Sequence, residues 1–587
     1  KILGLLMLSI SMHSCKQNVE TDYMKINYPE IQTTSVSDRY FGKIIVDKYR
    51  TLEDIQNKNV KEWLHKEKTL TDSLLNRISY RDSLKLKLED AIFSTNVRGG
   101  FPRAVNKKLF YARLFLKERI EKIFYRDSLT AQEVEIFDTH SVNDSNTTYD
   151  IYYFEPSYDG KYLACGLSPN GSEMSIIKII DVANKKILPE TIERAAYGNP
   201  SWIPGQSSFF YTQLKEIKSK SDEQTIYEDS KVKLHVVGND SNNDPEIISY
   251  SRSKELISSK LDIPFLTVFP NTDMAVVSVA RGSTPYVSLH YISLNSLISK
   301  KHSINEPAWK QICTPDEMIT GFAVYGHTAY VLSFHKNPNG CLMKYDLNGK
   351  SLTNEILINT KDEVLEDLIQ TQNYIYVKRL KNGFSQLTRI DVHSNEQREV
   401  ELPFTGYITL KPPFPYPPFF LNSPSLFFTM ESWNKELNGY YYDPNLNQVA
   451  ESGIRTSGKY GNPADIIVKE VEIVSHDGVA VPLSIIHSKN VSLDGTNPTL
   501  LEAYGSYGIS MNSHFDLGLL TWLRMGGIYA VAHVRGGGEK GDSWYKAGYK
   551  ANKPNTWKDF IACAEYLIKN KYTSSTKLAA KGVSAGG

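Results

Sequence analysis

One short pattern recurs seven times between residues 98 and 460, and it restricts the possible folds of this chain more than any other feature. Each copy is an apolar or aromatic residue, a polar turn and then a strand of alternating character. The copies start about 46–66 residues apart, close to the length of one β-propeller blade. Their starting positions are Val105, Pro156, Pro204, Pro270, Tyr325, Thr371 and Ser423. The repeats therefore predict a seven-bladed β-propeller, with another all-β arrangement of short aromatic strands as the alternative.

The composition agrees with a globular, β-rich protein and excludes several functional classes. The 587 residues include 66 Asp and Glu and 67 Lys and Arg, so the formal net charge is only +1. Such a balance lacks the basic surface that a nucleic-acid partner requires. The 36 Tyr, 23 Phe and 7 Trp favour strands, where aromatic rings pack on pleated faces. The 5 cysteines show no CxxC or zinc spacing, so we predict no metal and no cofactor.

The first 15 residues have the pattern of an export signal. Residues 2–10 are apolar except for Gly4 and Ser9, and they are fewer than the roughly 20 that span a bilayer. Cys15 follows shortly after, as in a bacterial lipoprotein signal, although residues 12–14 depart from the usual lipobox. We therefore expect an exported protein, periplasmic or membrane-anchored through a lipid on Cys15. The alternative is an apolar terminus that packs on the body of the protein.

Two further regions flank the repeats. Residues 47–92 are charged and place apolar residues, Val60, Trp63 and Leu64 among them, at helical spacing. After residue 460 the sequence contains strand-like stretches at 468–474, 528–534 and 577–583. A helix-like stretch at 560–568 lies between the last two of them. This alternation predicts a parallel α/β sheet over residues 461–587.

Residues 582–587 read Gly-Val-Ser-Ala-Gly-Gly and match the nucleophile elbow G-x-S-x-G. In this motif a strand turns sharply into a helix, and small residues at Gly582 and Gly586 let the two elements approach closely. The turn would lift the Ser584 hydroxyl above the sheet, with the Ala585 N–H pointing to where an oxyanion forms. A plain glycine-rich turn is the alternative.

Several segments, taken in order along the chain, resemble the prolyl oligopeptidase family of serine peptidases, and within it the oligopeptidase B branch. The similar segments are YRTLED (49–54), FEPSYDGKYLACGLSPNGSEM (154–174), LPETIERAAYGNPSWIPGQSSFFYT (188–212), EAYGSYGIS (502–510), AHVRGGGEKGDSWYKAG (532–548), DFIACAEYLI (559–568) and GVSAGG (582–587). The resemblance implies a seven-bladed propeller over residues 98–460 and an α/β-hydrolase domain over residues 461–587. It further implies that residues 16–97 form an N-terminal segment associated with the hydrolase domain.

The same resemblance implies catalytic roles. Ser584 would attack the scissile carbonyl, while Tyr504 and the Ala585 N–H would donate to the oxyanion. In chains of this fold the catalytic residues follow one another in the order Ser, Asp, His. The four histidines of this region that precede Ser584 are therefore predicted to be structural: His476, His487, His514 and His533. We therefore expect the acid and the base to follow Gly587, and the chain as it stands to have little activity.

A dinucleotide site is the competing interpretation of the glycines after residue 534. Gly536, Gly538 and Gly541 form G-x-G-x-x-G, with Asp559 downstream. A helix would have to open directly at these glycines, whereas the stretch resembles the RGGGE loop of the peptidases. We predict instead that Arg535 and Glu539 hold this loop near the active site through structural ion pairs.

The predicted function is a serine endopeptidase for short peptides, because the family's propeller excludes folded proteins. The loops are more similar to the branch that cleaves after Arg or Lys than to the branch that cleaves after Pro. The first alternative is an esterase or a dipeptidyl or acylaminoacyl peptidase, against which YRTLED argues. The second is a scaffold whose propeller binds a partner and whose hydrolase domain is degenerate. The oligomeric state is open.

Overall fold

The computed structural model describes residues 26–105, 107–217, 225–282, 284–299, 309–348, 353–411 and 423–587. The chain divides into two compact units, with the boundary between residues 87 and 88. No helix in these ranges is long and apolar enough to cross a membrane.

The first unit contains a hairpin, one complete helix and the first part of a second helix. Strands β1 (Val36–Tyr40) and β2 (Lys43–Asp47) pair antiparallel. Their turn residues Phe41 and Gly42 both have positive φ, 47° and 81°, which is the turn geometry that matches the twist of a hairpin. Helix α1 (Lys58–Asn76) begins at Asn57, whose side chain accepts a hydrogen bond from the Asn59 N–H. Helix α2 (Arg81–Ile92) continues into the second unit.

The strands between Val97 and Glu451 form six antiparallel sheets among the described residues. The first contains β3 (Val97–Gly99), β4 (Arg103–Val105), β5 (Lys108–Phe115), β6 (Ile120–Arg126) and β7 (Val134–Asp138). The second contains β8 (Tyr149–Pro156), β9 (Tyr162–Pro169), β10 (Ile176–Asp181) and β11 (Lys186–Ile192). The third contains β12 (Ser201–Trp202), β13 (Ser208–Gln213), β14 (Lys231–Val236) and β15 (Glu246–Ile248).

The fourth sheet has eight strands. They are β16 (Asp262–Val268), β17 (Met274–Arg281), β18 (Val287–Ser293), β19 (Lys310–Cys313), β20 (Ile319–Tyr325), β21 (Thr328–Ser333), β22 (Cys341–Asp346) and β23 (Thr353–Asn359), with α3 (Leu294–Ser299) after β18. The fifth contains β24 (Val364–Gln370), β25 (Tyr374–Lys381), β26 (Phe384–Asp391) and β27 (Gln397–Glu399). The sixth contains β28 (Tyr407–Thr409), β29 (Leu426–Ser432), β30 (Lys435–Asp443) and β31 (Gln448–Glu451).

Apolar clusters join each sheet to the next and close the sheets into a ring. Phe110 and Ile123 of the first sheet pack with Leu163 and Cys165 of the second, and similar clusters follow around the series. The last cluster contains residues of the fifth and sixth sheets together with Tyr111 of the first sheet. A ring closed in this way leaves no sheet face uncovered, and it confirms the prediction of a β-propeller.

The predicted number of seven blades is not reproduced as seven separate sheets, since the described strands form six. Each of the seven repeats starts at the end of one strand or in the connection that follows it, just before a long strand; Pro156, for example, ends β8 and precedes β9. The difference arises at β18 and β20, where one backbone pairing, Val287 with Ile319, merges two strand groups into the eight-stranded sheet.

Residues 466–581 form a five-stranded sheet in the order β32-β33-β35-β34-β36. The strands are β32 (Ile466–Val474), β33 (Ala480–Ser488), β34 (Thr499–Glu502), β35 (Ile528–Ala532) and β36 (Leu578–Lys581). Helix α4 (Leu517–Arg524) packs on one face, and α6 (Pro554–Lys569) packs on the other. Between them lies the short α5 (Gly541–Lys546).

This sheet corrects one expectation, because it is mixed rather than wholly parallel. Strands β34, β35 and β36 are parallel, whereas β33 is antiparallel to both of its neighbours. The reason is the short turn that contains Asp477 and Gly478, since a connection of a few residues can only join antiparallel strands.

Candidate active site

The backbone around Ser584 makes the sharp turn that the motif predicts. Strand β36 ends at Lys581, Val583 is extended, and a single 3₁₀ turn spans Ser584–Gly586. Ser584 itself has φ of 53°, a left-handed conformation that costs a non-glycine residue about 1–2 kcal/mol. Its side chain is exposed. A strained backbone that presents a hydroxyl to solvent is typical of a nucleophile.

The two flanking glycines are sterically required. A Cβ on Gly582 would lie 2.2 Å from the Gly586 carbonyl oxygen. A Cβ on Gly586 would lie 2.9 Å from the Ala503 oxygen and 3.2 Å from the Tyr504 Cα. The elbow is therefore packed directly against the start of the loop that follows β34.

That loop carries Tyr504 next to the elbow. Strand β34 is adjacent and parallel to β36, so Tyr504 and Ser584 both follow the carboxyl end of a strand at one sheet edge. The Tyr504 side chain is half-buried. Within the described residues, neither its hydroxyl nor the Ala585 N–H has a hydrogen-bond acceptor. Both donors are thus free for an oxygen that arrives with a substrate.

Lys553, at the start of α6, holds the first half of this loop. Its Nζ donates to the Gly505 carbonyl oxygen at 2.6 Å and to the Ser506 hydroxyl at 2.8 Å. Burial lowers the pKa of Lys553. Sequence reasoning missed this residue, because an isolated lysine ahead of a helix carries no signal of the loop it contacts.

Arg535 forms the densest group of ion pairs near the loop. Its guanidinium donates to Asp559 through Nε at 2.9 Å and through Nη2 at 2.6 Å, and to Asp477 through Nη1 at 2.5 Å. The Arg535 N–H and the Ser475 hydroxyl also donate to Asp559, at 3.0 and 2.6 Å. Asp559 is completely buried. The group ties the end of β35, the β32–β33 turn and α6 together.

These contacts shift the pKa values of Arg535 and Asp477. The hydrogen bond to Asp559 raises the pKa of Arg535 above its already high ordinary value. The hydrogen bond from Arg535 lowers the pKa of Asp477 to about 2. Both partners therefore stay charged at neutral pH. Asp477 is a residue that the sequence did not single out, although it occupies a recognisable turn.

The glycines after Arg535 pack against the Tyr504 loop. A Cβ on Gly536 would lie 2.0 Å from the Gly505 oxygen, and one on Gly538 would lie 2.3 Å from the Gly508 oxygen. Helix α5 begins at Gly541 and has 6 residues, while Asp559 is occupied by Arg535. Close backbone packing therefore explains this glycine pattern, and the geometry of a dinucleotide site is not present.

Glu539 holds the loop through a backbone N–H, and not through a Lys or Arg of the described residues. Its Oε1 accepts the Met511 N–H at 2.8 Å, and the nearest cationic candidate is His533, with Nδ1 3.6 Å away. Among the described residues no Lys or Arg forms an ion pair with Glu539. The carboxylate nevertheless holds the loop that Tyr504 begins.

The four histidines of this domain have partners other than Ser584 in the described ranges. His476 contacts the Ser475 hydroxyl, His487 the Ser488 carbonyl, His514 the Trp433 ring and His533 the Ser484 hydroxyl. No group of acidic, His or Cys side chains in those ranges has the arrangement of a metal site.

The propeller lies over the loop at the sheet edge. A cavity of about 280 Å³ separates them, lined by Tyr286 and Lys378 of the propeller and by Tyr507 and Ile509 of the loop. The Tyr286 hydroxyl also donates to Asp542 of α5. Any molecule that reaches the loop from this side must pass between the two domains.

The predicted lipid-bearing Cys15 and the export signal at residues 1–15 lie outside the described residues. Both stay predictions from the sequence.

Comparison with known proteins gives consistent matches along the chain. The model of the prolyl oligopeptidase N-terminal beta-propeller domain matches residues 28–412, and that of the prolyl oligopeptidase family matches residues 513–587. The prolyl endopeptidase of Elizabethkingia meningoseptica is 28% identical over 573 residues, which cover 96% of this chain and 76% of the relative. Protease 2 of Moraxella lacunata is 23% identical, covering 93% of this chain and 76% of the relative. A solved prolyl endopeptidase structure superposes with a TM-score of 0.82 at 22% identity, covering 95% of this chain and 79% of that one.

Proposed function

Because the chain belongs to the prolyl oligopeptidase family of serine peptidases, we propose that it hydrolyses short peptides through an acyl-enzyme on Ser584. The observation that carries the proposal is the elbow itself. Ser584 has a positive φ of 53° and lies on a turn packed against the backbone of Tyr504.

The chemistry follows from the free groups at this edge. The Ser584 oxygen attacks the peptide carbonyl carbon while a general base takes its proton, and the carbonyl oxygen becomes an oxyanion. The Ala585 N–H and the Tyr504 hydroxyl are free to donate to that oxygen. The amine then leaves with a proton, and water hydrolyses the serine ester. We infer that the base is none of the four histidines described above, since each has another partner.

The eight-stranded sheet supports a propeller of seven blades. Its two halves share a single backbone pairing, and an apolar cluster that includes Val276 and Val331 packs between them as between separate sheets. Each half also carries its own sequence repeat, at Pro270 and Tyr325. We therefore count each half as one blade. A closed ring over the site favours short, flexible peptides over folded proteins.

Two preferences for the residue before the scissile bond are supported by different observations. The YGSYGIS and AHVRGGGE loops favour Arg or Lys, through their resemblance to oligopeptidase B. The similarity to a prolyl endopeptidase at 28% identity, against 23% for Protease 2, favours proline. We propose proline as the stronger candidate, because the prolyl endopeptidase is more similar in sequence over nearly the same share of this chain, 96% against 93% for Protease 2.

Chromogenic peptides distinguish these possibilities. We expect the full-length protein to release p-nitroaniline from a peptide with proline before the scissile amide, and to leave an intact folded protein uncut. Faster cleavage after Arg or Lys would establish the second preference. A lack of cleavage of all three peptides would contradict the peptidase assignment and would leave the scaffold interpretation.

Replacing Tyr504 by Phe tests the second oxyanion donor. We expect kcat to fall by about 10²–10³-fold with little change in KM, because the hydroxyl acts on charge that develops only in the transition state. Steady-state kinetics with the preferred peptide measures this. Tyr507→Phe is the matched control, since Tyr507 belongs to the same loop but does not adjoin the elbow; an equal loss in both variants would contradict the role of Tyr504.

A further inference from the structure

Besides the packing of Gly536 and Gly538 on the loop that begins at Tyr504, two side chains hold this loop. Lys553 binds its first half through Gly505 and Ser506. Glu539 binds its second half by accepting the Met511 N–H at 2.8 Å. Between these anchors the loop contains two glycines with positive φ, Gly505 and Gly508, and so has little rigidity of its own.

Glu539 has an unusual environment for an anchor. Its side chain is only 8% exposed, and its Oε2 forms no hydrogen bond to any described residue. A buried carboxylate without a counter-charge is costly, because the interior solvates it poorly. The neighbouring lysine does not supply the charge, since the Lys540 Nζ binds Glu472 and the Ala480 oxygen instead.

His533 is the remaining candidate for the counter-charge. Its side chain is 9% exposed, and its Nδ1 lies 3.6 Å from the Glu539 Oε1. Its other nitrogen, Nε2, lies 2.7 Å from the Ser484 hydroxyl, which donates its single proton to Glu470 at 2.6 Å. The hydroxyl must therefore accept from His533, so Nε2 carries a hydrogen.

With a hydrogen on Nε2, the charge of His533 depends on whether Nδ1, the nitrogen near Glu539, also carries a hydrogen. In neutral His533 a lone pair on Nδ1 would point towards the carboxylate and repel it. In the imidazolium, Nδ1 carries a hydrogen and balances the charge. Nδ1 has no hydrogen-bond partner among the described residues. A series of contacts thus connects Glu470 to Ser484, Ser484 to His533, and His533 to Glu539, which binds the loop.

We propose that Glu539, with the imidazolium of His533 as its counter-charge, is a positioning residue for the loop that presents Tyr504 to the oxyanion. This inference rests on the proposed function. Neither side chain touches the substrate; the carboxylate fixes Met511 at the far end of the loop, and the fixed loop keeps Tyr504, its first residue, in place beside the elbow. A displacement of about 1 Å at such a group lowers kcat by about 10²-fold.

The test is a double-mutant cycle with Tyr504 in the full-length protein. We expect Glu539→Gln to lower kcat by about tenfold to 100-fold with KM unchanged, and the same change in the Tyr504→Phe protein to lower it less than about twofold, because the group being positioned is gone. Glu472→Gln, an exposed carboxylate on the same side of the sheet, is the matched control and should leave kcat unchanged.

The outcomes separate the two proposals. Equal losses in both backgrounds, or a loss in KM alone, would overturn the positioning role and leave Tyr504 intact. If Tyr504→Phe itself has no effect, the oxyanion assignment fails. Should Glu539→Gln not fold, His533→Gln replaces it in the cycle, because its amide can still bond Ser484 but brings no positive charge to Glu539; a purely additive result there would also overturn the proposal.

Discussion

Replacing Ser584 by alanine is expected to lower kcat for peptide hydrolysis by about 10⁶-fold, the loss typical of a deleted serine nucleophile. The reason is that the hydroxyl oxygen forms the acyl-enzyme bond, for which no neighbouring group can substitute. Because the substitution removes a single oxygen atom, we expect the free energy of unfolding to change by less than about 0.5 kcal/mol. Hydrolysis of the preferred peptide and chemical denaturation measure the two effects.

Labelling with a fluorophosphonate probe gives an independent readout of the same site. The probe should label the unaltered protein and the control Ser575→Ala, an exposed serine before β36, but not Ser584→Ala. Labelling that persists in Ser584→Ala would show that another residue is the nucleophile. It would also remove the basis for assigning roles to Tyr504 and Ala585.

The largest effect on stability is expected at Arg535, which is 4% exposed. Arg535→Met should reduce the free energy of unfolding by about 3–5 kcal/mol, because it leaves the buried Asp559 carboxylate without its counter-charge. Asp477 contributes less to this loss, since its side chain is 35% exposed and water can solvate it. Urea denaturation followed by tryptophan fluorescence measures the change.

A matched control separates this effect from the loss of any positive charge. Lys558→Met removes a cation beside Asp559 on the same helix, but Lys558 is exposed, and we expect a change below about 0.5 kcal/mol. If Arg535→Met is as stable as Lys558→Met, the buried group does not hold the β35 end in place. The Tyr504 loop would then depend on the glycine packing and on its contacts with Lys553 and Glu539.

The local features of the fold were readable in the sequence. The repeat starting at Pro156 predicted a strand connection where β8 and β9 meet, and residues 582–587 predicted the turn at Ser584. Both depend on contacts between residues close in the chain, which local composition determines. The glycines at 536 and 538 were also visible, but their partners Gly505 and Gly508 lie on another loop.

What depends on distant residues could not be predicted in the same way. Lys553 and Glu539 hold the Tyr504 loop and Asp477 pairs with Arg535, and no spacing in the chain connects these three residues. The negative charge of Glu539 was clear from the sequence, but its contacts, the Met511 N–H and His533, were not.

By itself the amino-acid sequence determined the repeating strands, the elbow and the chemistry that a serine at such a turn can perform. The tertiary structure decided that the sheets close into a ring with two groups merged at Val287 and Ile319, that the hydrolase sheet is mixed, and that Arg535 pairs with Asp559. The physical reason is distance along the chain: turns and alternation follow from neighbouring residues, whereas ring closure and buried ion pairs arise only when segments far apart in sequence pack together.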